Sequence, residues 1–205
     1  MEKYFKLGVS YLKGQYLPHL LLTLLFCLMS TGFLSFRNLE LYQSAKVLEM
    51  YVSFVGILLM TPLLMPEQDR EIWELEKSKA TPMWRIYLVR LILAFLVMAA
   101  VSVVFPFILE QNGSEFLWDK MWIGGFSEMF LLGAVGFAAS ALTNQVVIGY
   151  MLAVIYYVSN IGGKKYFGKL ALFQMMGGSY DFAVWMLAAG VVLIVASVVI
   201  RERIR

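Results

Sequence analysis

Six apolar runs, each near the length that crosses a lipid bilayer, dominate this chain of 205 residues. A bilayer core requires about 20 apolar residues per helix, and these runs are continuous, whereas β-barrel strands alternate. Composition agrees, because 60% of the residues are hydrophobic and only 15% are charged. The sequence therefore predicts an all-α membrane protein with six transmembrane helices, the second of which should begin a few residues before its apolar run. The runs are Leu17 to Phe36, Tyr51 to Met65, Ile86 to Leu109, Met121 to Leu142, Gln145 to Ile161 and Phe182 to Ile200.

Lysine and arginine set the expected orientation. Six spans place both termini on one side, together with the loop between the second and third spans, and that side carries eleven of the 17 basic residues. By the positive-inside rule these parts are cytoplasmic, so we expect a multi-pass protein of the plasma membrane of a bacterial cell. Lys164, Lys165 and Lys169 fall on the outer side against this trend. A five-span arrangement would move them inside, but it would place the C-terminal RERIR outside.

The whole chain, residues 1–205, is expected to form a single transmembrane permease domain. Residues 1–16 carry apolar side chains at helical spacing opposite three lysines, which is typical of an amphipathic interfacial helix on the cytoplasmic membrane face. An extension of the first span is the alternative, and Pro18 favours a break between the two. Residues 162–181 contain LALFQMM between glycine pairs, which is too short to span. They are expected to form an extracellular re-entrant segment.

One stretch, Pro66 to Arg85, holds nine of the chain's 31 charged residues, and we call it the island. Its first half is acidic and its second half is basic, which suits the dipole of a short helix. Opposite charges recur at i,i+3 and i,i+4 spacing, as in Glu67–Arg70 and Arg70–Glu74. Residues 67–80 are therefore expected to form a cytoplasmic helix. A loop that only reverses the direction of the chain needs just a few residues. Because the island is much longer than that and is expected to be structured, we expect it to be a docking surface.

The island leads into the third span, for which Thr81 and Pro82 are the expected N-cap and first turn. The residues from the island into the third span follow a definite order: an acidic residue, a few polar positions, an E-L pair, a small residue with proline, an aliphatic stretch and a basic residue. This order resembles the loop between the second and third spans of type-two ABC transporter permeases, and six spans with both termini inside fit the same family. The family's usual Gly-Thr after the acidic stretch is replaced by Glu71–Ile72. The matching residues are Glu67, Arg70, Glu74–Leu75, Thr81–Pro82, Ile86 to Val89 and Arg90.

The resemblance implies a division of labour between subunits. In that family the permease has no ATPase, a separate ABC ATPase subunit binds ATP and magnesium, and two permease subunits form the path as a homodimer or heterodimer. The loop after the second span is a coupling helix that docks into the ATPase. The resemblance thus implies these two protein partners beside membrane lipid, with no cofactor in this chain. The residues that it assigns to the coupling contact are Glu71, Ile72, Trp73, Glu74, Leu75 and Glu76.

The expected function is that of a permease subunit of an ATP-driven exporter. Spans rich in Met, Phe and Tyr suit an amphipathic or hydrophobic substrate such as a peptide, lipid or drug, and the resembled family mostly exports. Glu128 stands isolated in an apolar span, six residues past Trp122 and so roughly 9 Å deeper. It is expected to contact substrate or act as a gate. The alternative is a structural carboxylate, paired with a lysine of the loop between the fifth and sixth spans.

Other function classes find less support in the sequence. One histidine, His19, and one cysteine, Cys27, cannot form a His/Cys zinc cluster, and neither G-x-S-x-G nor a P-loop occurs, so we expect no catalytic, cofactor or metal residues. The small net charge of +3 gives no reason to expect nucleic acid as a partner. An ion-coupled secondary transporter usually carries ionisable groups at the membrane midplane, and here Glu128 is nearly alone. That class and a non-catalytic membrane scaffold or accessory subunit remain the alternatives.

Overall fold

The computed structural model of the chain describes residues 11–33, 37–78 and 82–204, which contain helices and no strand. The predicted all-α class is confirmed. Two π-helical turns, Leu12–Tyr16 and Leu48–Val52, and several 3-10 turns connect or extend the α-helices. The α-helices of the described residues are α1 (Leu17–Phe33), α2 (Leu41–Val47), α3 (Phe54–Met60), α4 (Arg70–Ser78), α5 (Met83–Gln111), α6 (Trp118–Thr143), α7 (Val146–Phe167) and α8 (Ala183–Ile204).

Among the described residues, five helical stretches are long and apolar enough to cross a membrane. The second predicted span is longer than its apolar run indicated, because α2, a π turn and α3 form one stretch with Lys46 and Glu49 inside it. The first predicted span contains a shorter apolar helix, Leu17–Ser30, and residues 34–36 lie outside the described residues. The five stretches are Leu41–Leu64, Met83–Gln111, Trp118–Thr143, Val146–Leu170 and Ala183–Arg203.

The core of the bundle consists of two of these stretches. Within the most apolar part of each stretch, the buried share is 83% in α6 and 78% in Leu41–Leu64. The corresponding share is 28% in α5 and 22% in both α7 and α8. Large apolar side chains on the outer helices, such as Leu96, Val147 and Val192, are therefore exposed. A water-facing surface of this kind would be very unfavourable, whereas lipid solvates it. The multi-pass membrane character follows from this arrangement as well as from composition.

Small residues explain how α6 packs so closely. A Cβ atom added at Gly56 of α3 would lie 1.8 Å from the carbonyl oxygen of Met129, and one at Gly136 would lie 2.1 Å from Oγ1 of Thr61. Ser140 donates to its own helix and to the carbonyl of Thr61, 3.3 Å away. Small residues allow helix backbones to approach in this way inside membranes. Gly136 and Ser140 of α6 therefore pack closely against Thr61 within the chain.

The helices alternate in direction, so polar connections collect at two ends of the bundle. At one end, which we call the island end, Gln68 donates to the carbonyl of Asn144 in the turn between α6 and α7 (3.2 Å). At the opposite far end, Asn38 donates its backbone N–H to the carbonyl of Asn112 (3.1 Å). Within the described residues the island therefore lies at the same end of the bundle as the α6–α7 turn.

The first helix shows no break at Pro18 in the described residues. The π turn Leu12–Tyr16 runs directly into α1, and the buried Tyr16 hydroxyl donates to the carbonyl of Leu59 (3.0 Å). Proline has no N–H to donate, and the preceding π turn already departs from the regular α-helical bonding pattern. The expected break is therefore wrong, and the described part of the predicted interfacial helix continues the first span. Residues 1–10 lie outside the described residues.

Thiol labelling tests the two ends. In a Cys27→Ser background, single cysteines replace the exposed residues Ser78, Gln111 and Lys165. An impermeant maleimide applied to intact cells should label the cysteines at positions 111 and 165 and should spare the one at 78. The first two lie at the far end, which is expected to face outward, whereas position 78 lies at the island end, which is expected to face the cytoplasm. Permeabilised cells, in which all three should react, are the control. Reaction of the cysteines at positions 78 and 111 from the same side would contradict this arrangement.

Candidate functional site

The island forms a short exposed helix, α4, which covers residues 70–78 of the predicted 67–80. Asp69 caps it, since the Asp69 carboxylate accepts from the N–H of Glu71 (2.9 Å) and its carbonyl accepts from the N–H of Trp73 (3.0 Å). Arg70 and Glu74 form the predicted i,i+4 ion pair on the surface, with 2.9 Å between nitrogen and oxygen. Exposed pairs of this kind contribute little stability, so α4 depends mainly on its cap and its packing.

The apolar residues of α4 do not all point away from the bundle. Ile72 is half-buried and lines a cavity of about 440 Å³ between the start of the first helix and the end of the second span. Trp73 is also half-buried, whereas Glu71 and Glu74 are exposed. The predicted coupling residues thus present a mixed face, with carboxylates around partly accessible apolar groups. The side chains of Leu75 and Glu76, and residues 79–81, lie outside the described part of the structure.

Glu67, Arg90 and Arg201 form a buried ionic cluster directly beneath α4, which we call the ionic node. Arg90 donates to Glu67 and to the carbonyl of Leu63 (3.0 Å), and a nitrogen of Arg201 lies 3.9 Å from Glu67. The three side chains are at most 3% exposed. The predicted Glu67–Arg70 pair is wrong. Backbone geometry is the cause, because extended Asp69 separates Glu67 from α4 and leaves its carboxylate directed into the bundle.

Each arginine of the ionic node has further partners. Arg201 donates to the Tyr87 hydroxyl (3.2 Å) and to Asn144 Oδ1 (3.3 Å). The guanidinium of Arg90 lies 4.6 Å from the centre of the Tyr11 ring, in cation–π geometry. Buried arginines need such partners, because an unpaired charge inside the bundle would be very costly. The ionic node therefore joins the island to α5, α8 and the α6–α7 turn.

The start of α5 differs in detail from the sequence prediction. Pro82 is the N-cap residue and not part of the first turn, and Thr81 lies outside the described residues. The N–H of Trp84 donates to the carboxylate of Glu202 (3.2 Å), so a residue near the end of α8 satisfies a free donor of α5. The negative charge of Glu202 also suits the positive end of the α5 dipole.

Glu128 lies fully buried near the far end of α6. Its Oε1 atom accepts from the backbone N–H of Phe173 at 3.0 Å. Phe173 belongs to an irregular stretch, Ala171–Gly178, that we call the return segment and that falls within the predicted re-entrant residues 162–181. The carboxylate thus contacts the protein's own backbone, as the structural alternative requires, although its partner is an amide and not a lysine.

A second buried carboxylate, Glu49, lies against the same segment, and sequence reasoning missed it. Both of its oxygens accept backbone hydrogen bonds, from the N–H of Met175 and from the N–H of Met176 (2.9 Å). Glu49 is the second residue of the π turn Leu48–Val52, and such turns recur at functional sites. The side chains of Glu49 and Glu128 also contact each other.

Lys164 explains part of the unexpected positive charge at the far end. Its ammonium group donates to the carbonyl of Phe173 at 2.6 Å, so the return segment is held at an N–H and at the C=O of the same residue. Lys169 lies 4.4 Å from the centre of the Trp185 ring, an aromatic contact of the kind that anchors helices at membrane interfaces. These lysines therefore have structural partners at this end.

Two signals in the sequence could have indicated these clusters. Glu49 precedes the second apolar run by two residues, and Arg201 follows the last run directly. Charges next to an apolar run usually lie at the membrane surface, whereas helices of this length extend past the apolar run and bring such residues into the bundle. The pairing itself has no sequence signal, since Glu67 and Arg201 are separated by more than a hundred residues.

Comparison with known proteins adds no assignment, because no family model, curated protein or solved structure matches this chain.

The ionic node should make a large contribution to stability. We expect Arg90→Met to lower the free energy of unfolding by about 3–5 kcal/mol, because it leaves the buried Glu67 carboxylate with one cation fewer. Arg85→Met, an exposed arginine five residues away, should change it by about 0.5 kcal/mol or less. Unfolding in detergent, followed by circular dichroism, measures both.

A double-mutant cycle gives the control. The Glu67→Gln, Arg90→Met double variant should lose less stability than the two single variants together, with a coupling energy of about 0.5–3 kcal/mol. Strictly additive losses would show that the two side chains do not interact.

Proposed function

We propose that this chain is a transmembrane permease subunit of an ATP-driven exporter, and that it uses the island to couple to a separate ABC ATPase. The resemblance of the island to the coupling loop of type-two ABC permeases supplies the family. In this proposal the chain pairs with a second permease subunit, spans the membrane six times and keeps both termini and α4 in the cytoplasm.

The observation that carries the proposal is the connection between α4 and the ionic node. An amphipathic helix at the end of a bundle can serve as a docking site whether or not it moves anything. Here Glu67, one turn before α4, is bound to Arg90 of α5 and lies beside Arg201 of α8. A displacement of α4 would therefore be transmitted directly to the ends of several spans, which is what coupling to an ATPase requires.

The geometry of the ionic node offers a physical reason why the resembled motif begins with an acidic residue and ends with a basic one. The acidic and the basic residue that bracket the resembled motif, Glu67 and Arg90, are 23 positions apart in sequence and form one buried ion pair. The residues between them, α4 among them, thus form a closed loop whose two ends are fixed together. This supports a role of the motif in holding the coupling helix in a defined position.

An apolar path suits the proposed class of substrate. The outer helices expose apolar side chains to the membrane, and a groove of about 540 Å³ between α1 and α5 is lined almost entirely by apolar residues. An amphipathic or hydrophobic peptide, lipid or drug could be accommodated by such surfaces. Glu128, which is fully buried against the return segment, fits a gating position better than a substrate contact.

The carboxyl pair at the far end favours one alternative, an ion-coupled secondary transporter. Glu49 and Glu128 supply two buried ionisable groups where the sequence suggested one, and such groups often bind coupling ions. Against this, three of their four oxygens already accept backbone N–H groups of the return segment. Transport that requires ATP and survives collapse of the proton gradient would favour the exporter, and the opposite result would favour the carrier.

Substitution of Trp73 tests the coupling surface. We expect Trp73→Ala to weaken ATPase binding by about 2 kcal/mol or more, about 30-fold, because a tryptophan at the centre of an interface loses its whole contact area. Glu71→Ala, which removes an exposed charge at the rim of the same helix, should change binding by about fivefold or less. Copurification of the ATPase and ATP-driven transport measure the effect.

Trp84→Ala is a matched control, because Trp84 is a partly exposed tryptophan at the island end but outside α4. It should leave ATPase binding unchanged, and all three variants should insert into the membrane. If Trp73→Ala has no effect, the docking face is misassigned. If no ATPase copurifies with the wild-type chain, the permease proposal loses its main support.

A further inference from the structure

The return segment has no regular hydrogen bonding of its own around Phe173, yet it lies inside the bundle. Ala171, Leu172, Phe173 and Met175 are at most 7% exposed. Phe173 has a positive φ of 63°, so the chain turns sharply there and its N–H cannot join a helix. Irregular backbone at membrane depth requires partners from the surrounding protein, because no water is present to bind it.

The surrounding helices supply those partners with two carboxyl groups and with Asn160 of α7, whose Oδ1 accepts from the N–H of Leu172 at 2.9 Å. Glu128 Oε1 accepts from Phe173, and the two oxygens of Glu49 accept from Met175 and Met176. The fourth oxygen, Oε2 of Glu128, has no hydrogen-bond donor among the described residues. The amide of Gln174 lies near the same carboxyl group.

The arrangement of these four oxygens identifies where a proton is needed. An ionised carboxylate has only acceptors, so two carboxylates in contact repel each other unless one of them carries a proton. Glu49 accepts two backbone N–H groups and Glu128 accepts one, so the negative charge is better stabilised on Glu49 and the proton belongs on Glu128. Oε2 of Glu128 is the remaining position, and a proton there donates to Glu49.

We propose that Glu49 and Glu128 form a one-proton latch that holds the return segment closed, with the proton on Oε2 of Glu128 and the negative charge on Glu49. The latch is a proton-binding site built from two carboxyl groups and three backbone N–H groups. Opening the segment removes three N–H partners together, so the negative charge of the pair loses all of these hydrogen bonds.

Among the described residues, few other ionisable side chains face the latch. Lys164 of α7 approaches Glu49 and donates to the carbonyl of Phe173, so it balances the single negative charge. The hydroxyl groups of Tyr156 and Tyr157, also of α7, lie on the side of Glu128 but donate elsewhere, to the carbonyls of Leu170 and Met50. One positive and one negative charge thus remain at the latch, which is the arrangement of lowest electrostatic cost.

The latch has a consequence for transport that rests on the proposed function. If the chain is an exporter whose outer exit lies at the far end, the return segment closes that exit and must release the latch in each cycle. The latch itself requires no ATPase, so it can be tested on the chain alone.

The test compares amide and alanine substitutions through the reactivity of a buried cysteine. In a Cys27→Ser background, Met175→Cys places a thiol at a position that is 2% exposed, and Ser179→Cys provides an exposed control in the same loop. The rate of labelling by an impermeant maleimide is measured in each, in detergent or in nanodiscs. With the unaltered carboxyl pair, the thiol at 175 should react slowly and the thiol at 179 rapidly.

The variants should behave asymmetrically. Glu128→Gln should keep the thiol at 175 slow, because the amide oxygen accepts from Phe173 while its N–H₂ group donates to Glu49, as the protonated acid does. Glu128→Ala and Glu49→Gln should accelerate labelling about tenfold or more, since the first removes the acceptor and the second directs an N–H₂ group at a backbone N–H. Equal acceleration by Glu128→Gln and Glu128→Ala would overturn the proposal, as would Glu49→Gln at the wild-type rate.

Infrared spectroscopy provides a second measurement that does not depend on the more damaging variants. At neutral pH the wild-type chain should show the C=O stretch of one buried protonated carboxylic acid, and Glu128→Gln should lose it, because Glu49 is ionised in both. A spectrum without this band in the wild type, or with the band retained in Glu128→Gln, would overturn the proposal even if Glu49→Gln does not fold. Absence of a copurifying ATPase would weaken the proposed function and leave these outcomes unchanged.

Discussion

Every charge buried in this bundle needs an opposite charge or hydrogen-bond partners where it lies, and the positions of the helices follow from that constraint. An isolated charge in an apolar interior is very costly, so buried charges are found in pairs with further hydrogen bonds. At the island end the constraint is met by the ionic node of Glu67, Arg90 and Arg201, which come from three different parts of the chain. At the far end Glu49 and Glu128 meet it with the backbone N–H groups of the return segment. Moving any of these helices relative to its neighbours would separate a buried charge from its partners.

The two clusters are connected by the two most buried helical stretches. The stretch Leu41–Leu64 carries Glu49 near the far end and leads directly into Glu67 at the island end. The helix α6 carries Glu128 near the far end and, about 20 Å along its axis, the Ala141 carbonyl that accepts from Arg201. Close packing through Gly56 and the small residues of α6 leaves little room for the two stretches to slide past each other. A change at one end therefore has a short and rigid route to the other.

Sequence reasoning recovered the helical class, the approximate positions of the long spans and the short helix after Glu67, because apolar length and charge spacing are local properties. It failed where the outcome depended on contacts between distant residues. The pair Glu67–Arg70 satisfied the helical spacing rule, but the chain is extended at Asp69, so Glu67 reaches Arg90 instead. Glu49 was missed, since its position beside the apolar run does not show that its hydrogen-bond donors lie 126 residues away. The six-span arrangement and the coupling role of α4 stay predictions.

The far-end lysines show why charge counts alone can mislead about topology. Three of them were the main sequence argument for five spans, since the positive-inside rule assigns lysine to the cytoplasm. That rule applies best to lysines and arginines whose position is not already determined by contacts within the protein. Lys164 donates to the carbonyl of Phe173 and Lys169 lies over Trp185, so both lysines have structural partners at the far end. If Lys164 and Lys169 are set aside because of these contacts, the remaining positive charge at the far end is small compared with that at the island end. The proposed orientation, with α4 in the cytoplasm, then no longer conflicts with the distribution of lysine and arginine.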